Sequence, residues 1–449
     1  MLNMTDIKTK MPEQDPQVRV TNFEETATGY TDEMAIREAM RCLKCRKHPC
    51  MSTGCPVHNN IPEFIERITE GDFEGAYQTL SRTTDLPAVC GRVCPQYLQC
   101  EGNCVRAKKG QAVAIGALER FVADRHRRNA QAAETAAHKN GKKVAVVGSG
   151  PAGIACAGDL AAQGFDVTIF DKEEVPGGVL AYGIPAFRLP KEILASEIDG
   201  LKANGVKFET GRALGADLTL EELKGKFDAV FIGNGAGRPM ALGVPGSELT
   251  GVVSASDMLK SINIEGKLLQ YRNIAIVGGG NVAMDACRAA VRCPNAENVY
   301  VVYRRSQAEM PADPAEVAEA VAEGVQFMYL TGPLEVVGEE GKVKGLKCIR
   351  NVLSDPDESG RRKPVAVEGS EFVLEADCVI EAIGSAADNS SIEGIALSDR
   401  KGLIVVGDDM GTTMDGVFAG GDTVTGPKTV IAAMGAGKKA ATAIADYLK

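Results

Sequence analysis

The sequence predicts an α/β protein with two nested Rossmann-like dinucleotide-binding domains, preceded by a helical, cysteine-rich domain. Three observations carry this reading. Two glycine strings, Gly148-Ser149-Gly150-Pro151-Ala152-Gly153 and Gly278-Gly279-Gly280-Asn281-Val282-Ala283, each lie between an apolar β-branched run and a helical stretch. Of thirteen cysteines, eight fall between Cys42 and Cys104. At 449 residues the chain has room for roughly three domains of about 150 residues each.

Composition narrows the possible partners. Fifty Lys plus Arg against 60 Asp plus Glu leave a net charge of −10, which disfavours attachment to nucleic acid or to anionic membranes. No uncharged apolar run approaches the ~18 residues of a membrane span, and the opening stretch lacks a signal-peptide apolar block, so a cytoplasmic location is expected. In that setting clustered cysteines point to metal ligation rather than to disulfides. Fifty glycines in 449 residues exceed the usual share of about 7%, as two nucleotide sites require.

Taken in order, residues 1–140 are read as a helical domain, with helix-like segments at Thr31 to Leu43 and Ile61 to Leu80. The polar, alanine-rich tract from Arg125 to Lys143 reads as an exit helix or a linker. Lys143 to Val147 is a strand, a helix runs from the glycines to Gln163, and Asp166 to Phe170 is the next strand, making a βαβ unit. The pattern recurs at Asn273 to Val277, a helix through Arg292, and Val299 to Tyr303. Gly416 to Asp422 reads as a buried strand ending in a tight turn, followed by a helix from Thr429 to Leu448. This last piece is expected to complete the first fold, which gives segments 141–254 and 386–449 for that fold and an insertion at 255–385.

In the first glycine string, Gly148 permits the turn, Gly150 lets backbone approach a pyrophosphate, and Gly153 lets the helix sit close to the sheet. Pro151 and Ala152 open that helix, whose N-terminal amides attract phosphate. Asp171, at the end of the following strand, is placed to accept hydrogen bonds from an unphosphorylated ribose, as in FAD or NAD. Gly421 and Asp422, at a distant strand end, fit the ribityl chain of a flavin, and Pro427-Lys428-Thr429 opens a helix facing it, so FAD is expected here. The second string is followed by Tyr303-Arg304-Arg305, two cations where the first site has a carboxylate. Guanidinium groups bind a 2′-phosphate, so NADP(H) is expected there, held by Gly278, Gly279, Gly280, Asn281, Val282, Arg304 and Arg305. Ala382, Ile383 and Gly384 follow the strand Cys378 to Glu381 and are placed to close over the nicotinamide. Flavin takes hydride without a protein acid or base, so no catalytic side chain is assigned.

The cysteine spacings are Cys42-x2-Cys45-x4-Cys50-x4-Cys55-Pro56 and Cys90-x3-Cys94-Pro95-x4-Cys100-x3-Cys104. Eight thiols suit two four-ligand [4Fe-4S] clusters, and Cys-Pro is a frequent ending of ferredoxin-type ligand runs. Structural zinc is the rival reading, although only one C-x2-C is present.

With Arg41-Cys42-Leu43, Gly54-Cys55-Pro56-Val57, Leu86-Pro87-Ala88-Val89-Cys90-Gly91-Arg92-Val93-Cys94-Pro95 and Leu118-Glu119-Arg120-Phe121, the chain resembles the glutamate synthase small-subunit family. The likeness continues through Gly177-Gly178-Val179-Leu180 to Phe187-Arg188-Leu189-Pro190-Lys191 and covers nearly the whole chain. That family includes the NADPH-binding subunit of electron-bifurcating NADH-dependent ferredoxin:NADP oxidoreductase and the N-terminal part of dihydropyrimidine dehydrogenase. The resemblance implies interleaved ligand sets: Cys42, Cys45, Cys50 and Cys104 for one cluster, and Cys55, Cys94, Cys100 and Glu119 for the other. Cys90 is then a non-ligand. It further implies that Gly178, Val179, Arg188 and Thr429 lie at the flavin, and that hydride passes between NADP(H) and FAD while clusters relay electrons. The implied partner is a second redox subunit in a hetero- or homo-oligomer: a glutamate synthase large subunit, or a ferredoxin- or NAD-linked flavoprotein. A non-catalytic assembly subunit is the alternative of another class.

Overall fold

The computed structural model describes residues 2–129, 139–358, 360–399 and 401–449. Most of the tract read as an exit helix or linker, residues 130–138, lies outside the described residues. After one turn of helix at Pro16–Arg19, the N-terminal part is built around α1 (Asp32–Ala39), α2 (Ile61–Thr69), α3 (Phe73–Ser81), α4 (Pro87–Val93) and α5 (Ile115–Asn129). Thr31 stands outside α1 and caps it, accepting from the Met34 amide at 3.3 Å. That helix stops before the cysteines because buried Arg41 ties the chain to the carbonyls of Gln111 and Ala112, at 2.7 and 2.9 Å. Along α2, Ile61, Phe64, Ile65 and Ile68 form one buried stripe. The single helix expected over Ile61 to Leu80 is two. Gly71, at φ +77°, ends the first, and the Asp72 carboxylate accepts the Gly75 amide at 2.9 Å to start the second.

The chain then enters a parallel sheet through β1 (Lys143–Val147), crosses by helix α6 (Pro151–Ala162) to β2 (Asp166–Phe170), and passes α7 (Val179–Tyr182) and α8 (Lys191–Ala203) to β3 (Lys207–Glu209) and β4 (Ala229–Ile232). It leaves for a second parallel sheet made by β5 (Val252–Ser254), β6 (Asn273–Val277), helix α9 (Asn281–Val291), β7 (Asn298–Val302) and β8 (Gln326–Met328). Four antiparallel strands follow, β9 (Thr331–Glu339), β10 (Lys342–Leu353), β11 (Pro364–Ala366) and β12 (Phe372–Glu375). The second sheet is completed by β13 (Cys378–Glu381), between β5 and β6. Finally β14 (Val417–Ala419) pairs in parallel with β4, far back in sequence, and α10 (Val430–Tyr447) ends the chain. The sheet orders are β14-β4-β1-β2-β3 and β5-β13-β6-β7-β8. Their central strands are buried on both faces, as the runs of Val, Ile and Ala demand, while the edge strands β3, β5 and β8 are partly exposed.

The helical part is joined to the first sheet through apolar packing. Leu86 and the α4 residues Ala88, Val89 and Cys90 share one buried cluster with Ile154 and Ala155 of α6, Leu180 and Ala181 of α7, and Ile431 and Met434 of α10. At its margin, Lys438 lies 2.8 Å from Asp85 and 2.7 Å from Asp159, an ion triad drawn from three elements. The N-terminal segment touches both folds: Arg19 bonds Glu323, at the end of a helix of the inserted part, at 2.7 Å, and the Thr26 amide donates to the Phe187 carbonyl, between α7 and α8, at 2.9 Å. Arg288 and Arg292 complete that buried network on Glu323 and stack over Phe187.

Met434→Ala, which empties a fully buried position of the shared cluster, is expected to cost about 2–5 kcal/mol, read as a lower urea midpoint. Leu98→Ala, at a side chain 66% exposed, is expected to stay within about 0.5 kcal/mol.

Candidate cofactor sites

The first glycine turn joins β1 to α6 with almost no free space around its outer glycines. A Cβ on Gly153 would stand 1.8 Å from the Gly148 carbonyl, so only glycine lets the helix meet the turn. Gly148 itself, at φ +99°, presses against Gly233 beyond β4. Gly150 is different: nothing lies within 4 Å of where its Cβ would be, so its backbone faces an open cradle at the helix N-terminus. Gly178 closes one side of that cradle, with its own Cβ position 2.9 Å from the Gly150 Cα. Val179, which follows it, is 53% exposed. Gly421 packs its backbone on Ala152, and Asp422 stands next to it, its carboxyl pushed up to about 6 by burial and accepting from the Lys428 amide at 3.1 Å. The distant turn and the glycine string therefore meet at one helix end.

Asp171 is buried at the end of β2, where one carboxylate oxygen accepts the Ser149 amide at 2.7 Å and its hydroxyl at 2.5 Å. The other accepts the Glu173 amide at 2.9 Å and no second donor among the described residues, which leaves it acceptor capacity. Arg188 bonds Asp285 of α9 at 2.7 Å and Glu316 at 2.9 Å, so it bridges the two sheets' domains. Nearby Lys191 donates to the carbonyls of Leu180 and Ile184, and burial lowers its pKa to about 8. Thr429 caps α10 by accepting the Ala432 amide, and it also receives Gln99 of the cysteine part at 3.4 Å.

The second turn repeats the design. Gly278 presses on the Ala382 carbonyl, 2.2 Å from its Cβ position, and Gly279 on the Tyr303 ring, while Gly280 is open. Asn281 fixes the turn by accepting the Asp313 amide at 2.9 Å, and Val282 and Ile383 are exposed. The Gly384 carbonyl accepts the Met240 amide at 3.1 Å. Arg304 is exposed, and the Nε of half-buried Arg305 has no hydrogen-bond partner among the described residues. The hairpin of β10 and β11 folds over this corner: Asn351, near the end of β10, donates to the Arg304 carbonyl at 3.1 Å, and Arg362 lies 3.8 Å from Glu309. Sequence reading missed that hairpin, because its register onto Arg304 is set by pairing across the antiparallel sheet.

The cysteines fall into two groups. Cys42, Cys45, Cys50 and Cys104 line one small cavity together with Ile61, Ile65 and Val113. Burial pushes the Cys50 thiol up to about 12, with Cys42 and Cys104 adding to it. Cys55, Cys94, Cys100 and Glu119 form the second group, close enough to act on one another electrostatically. Cys90 stands with them, fully buried beside Cys94. Among the described residues no three such side chains converge on a single-ion site. Glu119 is the telling member: burial raises its carboxyl to about 8, and its Oε1 is buried without a hydrogen-bond partner among the described residues. An orphaned carboxylate oxygen among three thiols fits a cluster ligand, since such an atom is otherwise a costly defect.

Residues 142–437 match the pyridine nucleotide-disulphide oxidoreductase family, and residues 19–131 match the family described as dihydropyrimidine dehydrogenase domain II, 4Fe-4S cluster. The glutamate synthase [NADPH] small chain of Halomonas elongata is 37% identical over 99% of this chain and 97% of its own length. The chain belongs to the glutamate synthase small-subunit family. Its members are NADPH-dependent flavin and iron-sulfur oxidoreductases, and this chain is such an oxidoreductase. The β subunit of NADP(+)-dependent formate dehydrogenase from Moorella thermoacetica is 42% identical over 89% of this chain, which spans 60% of that relative's length. Among solved structures, Mycobacterium tuberculosis FprA in complex with NADPH shares the fold with a TM-score of 0.59 at 20% identity, over 68% of this chain and 84% of that one. No helix among the described residues is long and apolar enough to cross a membrane.

The open glycine gives a discriminating test. Gly150→Ala meets no protein atom, so far-ultraviolet dichroism is expected to be unchanged while FAD retained through purification falls about ten-fold or more, a loss of ~1.4 kcal/mol or greater.

Proposed function

We propose that this chain oxidises NADPH and delivers the electrons to a partner subunit, in the manner of a glutamate synthase small subunit. The observation that carries this is one helix end at which Gly150, Gly421 and Asp422 meet, with Gln99 of the cysteine part hydrogen-bonded to Thr429. FAD would be held by Gly148, Gly150, Pro151, Ala152, Gly153, Asp171, Gly178, Val179, Gly421, Asp422 and Thr429. Asp171 would use its free acceptor capacity on the ribose, while Arg188 would act from the side by fixing the inserted domain against the flavin fold. NADP(H) would be held by Gly278, Gly279, Gly280, Asn281 and Val282, with Arg304 and Arg305 on the 2′-phosphate and Ala382, Ile383 and Gly384 over the nicotinamide. Exposed Val179, Val282 and Ile383 offer the apolar surface that planar rings cover. Flavin supplies hydride acceptance, and clusters supply single-electron carriage.

Two [4Fe-4S] clusters fit the two groups: Cys42, Cys45, Cys50 and Cys104, and Cys55, Cys94, Cys100 with Glu119. The domain division that goes with this is 1–140 for the clusters, 141–254 and 386–449 for FAD, and 255–385 for NADP(H). A cytoplasmic location follows from the same reading. Near-complete coverage of the glutamate synthase small chains favours that partner type. Higher identity to a formate dehydrogenase β subunit and, at 40%, to a β subunit of NADPH-Fe(3+) oxidoreductase from Geobacter sulfurreducens favours a second reading. In that reading the same core serves another redox subunit, including one of the electron-bifurcating kind.

Anaerobic purification tests the proposal directly. The expected result is one FAD and about eight iron and eight acid-labile sulfide per chain, four of each per cluster. Zinc without sulfide, or a complete lack of NADPH-driven acceptor reduction in flavin-loaded protein, contradicts it. In the paired variant R304Q/R305Q, KM for NADPH is expected to rise about 10- to 100-fold with KM for NADH nearly unchanged, because two charge-assisted bonds of ~1.5–3 kcal/mol are removed. Equal changes for both nucleotides would show that the two arginines do not read the phosphate.

A further inference from the structure

We infer that the surface around Cys42, Cys45, Cys50 and Cys104 is a docking face for an acidic electron-carrier protein. The inference rests on the proposed function, which makes these thiols the outer cluster site. The two ligand-bearing stretches, residues 41–62 and 102–118, contain no Asp or Glu at all, in a chain where 60 of 449 residues are acidic. They do carry Lys44, Arg46, Lys47, Lys108 and Lys109, all exposed. The acids in contact cancel part of this charge and leave the rest: Glu66 pairs with Lys44, Glu101, 12% exposed, pairs with Lys8, and Asp6 lies 4.0 Å from buried Arg106, while Arg46, Lys47, Lys108 and Lys109 make no ion pair among the described residues. Of the two cysteine groups, the second has Cys55 and Cys100 buried and Cys94 at the edge of the cluster shared with α6, α7 and α10, whereas all four thiols of the first are half-buried, so the first is the one nearer the surface.

A local positive face on a molecule of net charge −10 has a directional consequence. An acidic protein is repelled by most of the surface and attracted here, which orients the encounter with the outer thiols and raises the association rate. A solubilising scatter of charge would mix both signs over the same stretches.

Rubredoxin, a small acidic protein with one iron, serves as the probe, and cytochrome c, comparably small and basic, as the control. Two Fe(III) rubredoxins take the two electrons of one NADPH, leaving NADP+ and a proton. In anaerobic, fully loaded protein, the Kd for oxidised rubredoxin measured by calorimetry is expected to rise about ten-fold between ~20 and ~200 mM salt. K108E/K109E, outside the Cys42 to Cys50 loop, is expected to weaken rubredoxin binding by a similar factor and to strengthen cytochrome c binding, with NADPH-driven reduction of a small neutral quinone unchanged. K44E/R46E/K47E is expected to act in the same direction with unchanged iron content. Rubredoxin binding indifferent to salt and to K108E/K109E, or no rubredoxin binding at low salt, overturns the docking face while quinone reduction still supports the proposed function. Absent quinone reduction in the unaltered loaded protein overturns that function and this inference with it.

Discussion

The apolar contact between the cysteine-bearing helices and the first sheet is the constraint on which the rest of this structure depends. Leu86, Ala88, Val89 and Cys90 are packed into the same buried cluster as Ile154, Leu180, Ile431 and Met434, with no linker between them at that point. Each large side chain so buried contributes about 1.5–3 kcal/mol. A contact of that kind does more than stabilise, because interiors are close-packed and transmit position. It fixes Cys90 and Cys94 against α10 and against α6, the helix whose N-terminus carries the open glycine cradle. An electron-transfer protein needs that fixed spacing, and here the hydrophobic effect provides it.

The inserted domain is held in a different manner. Arg188 reaches from the first fold to Asp285 and Glu316 of the second, and the N-terminal segment adds Arg19 to the same buried set of charges around Glu323. Paired buried charges are poor sources of net stability but strict about geometry. The molecule thus uses an apolar seal where distance must stay constant and an ionic clasp where one nucleotide domain must face another.

Much of this was legible in the sequence. Both strand-turn-helix units, the return of β14 to the first sheet and the family were readable, because glycine strings and β-branched runs record local backbone constraints directly. The approach of Cys104 to Cys42, Cys45 and Cys50 at one cavity has no signal in the spacing, which gives two sets of four, since it is a tertiary fact; the interleaved ligand sets are what the resemblance implies. Other features had no signal. The orphaned oxygen of Glu119 depends on burial, the engagement of Arg188 with Asp285 depends on domain docking, and Gln99 meets Thr429 across 330 residues. The split at Gly71 had one, a glycine followed by an aspartate, that a helical hydrophobic period overrode.

Native-state hydrogen exchange on the loaded protein bears most directly on the shared core. If the two parts are one packed body, amides of Val89 to Cys94 in the cysteine part and of Ala433 to Ala441 in α10 exchange with a common free energy close to that of global unfolding. Exchange of the Val89 to Cys94 amides through a separate opening of much lower free energy, with α10 still protected, would contradict the account.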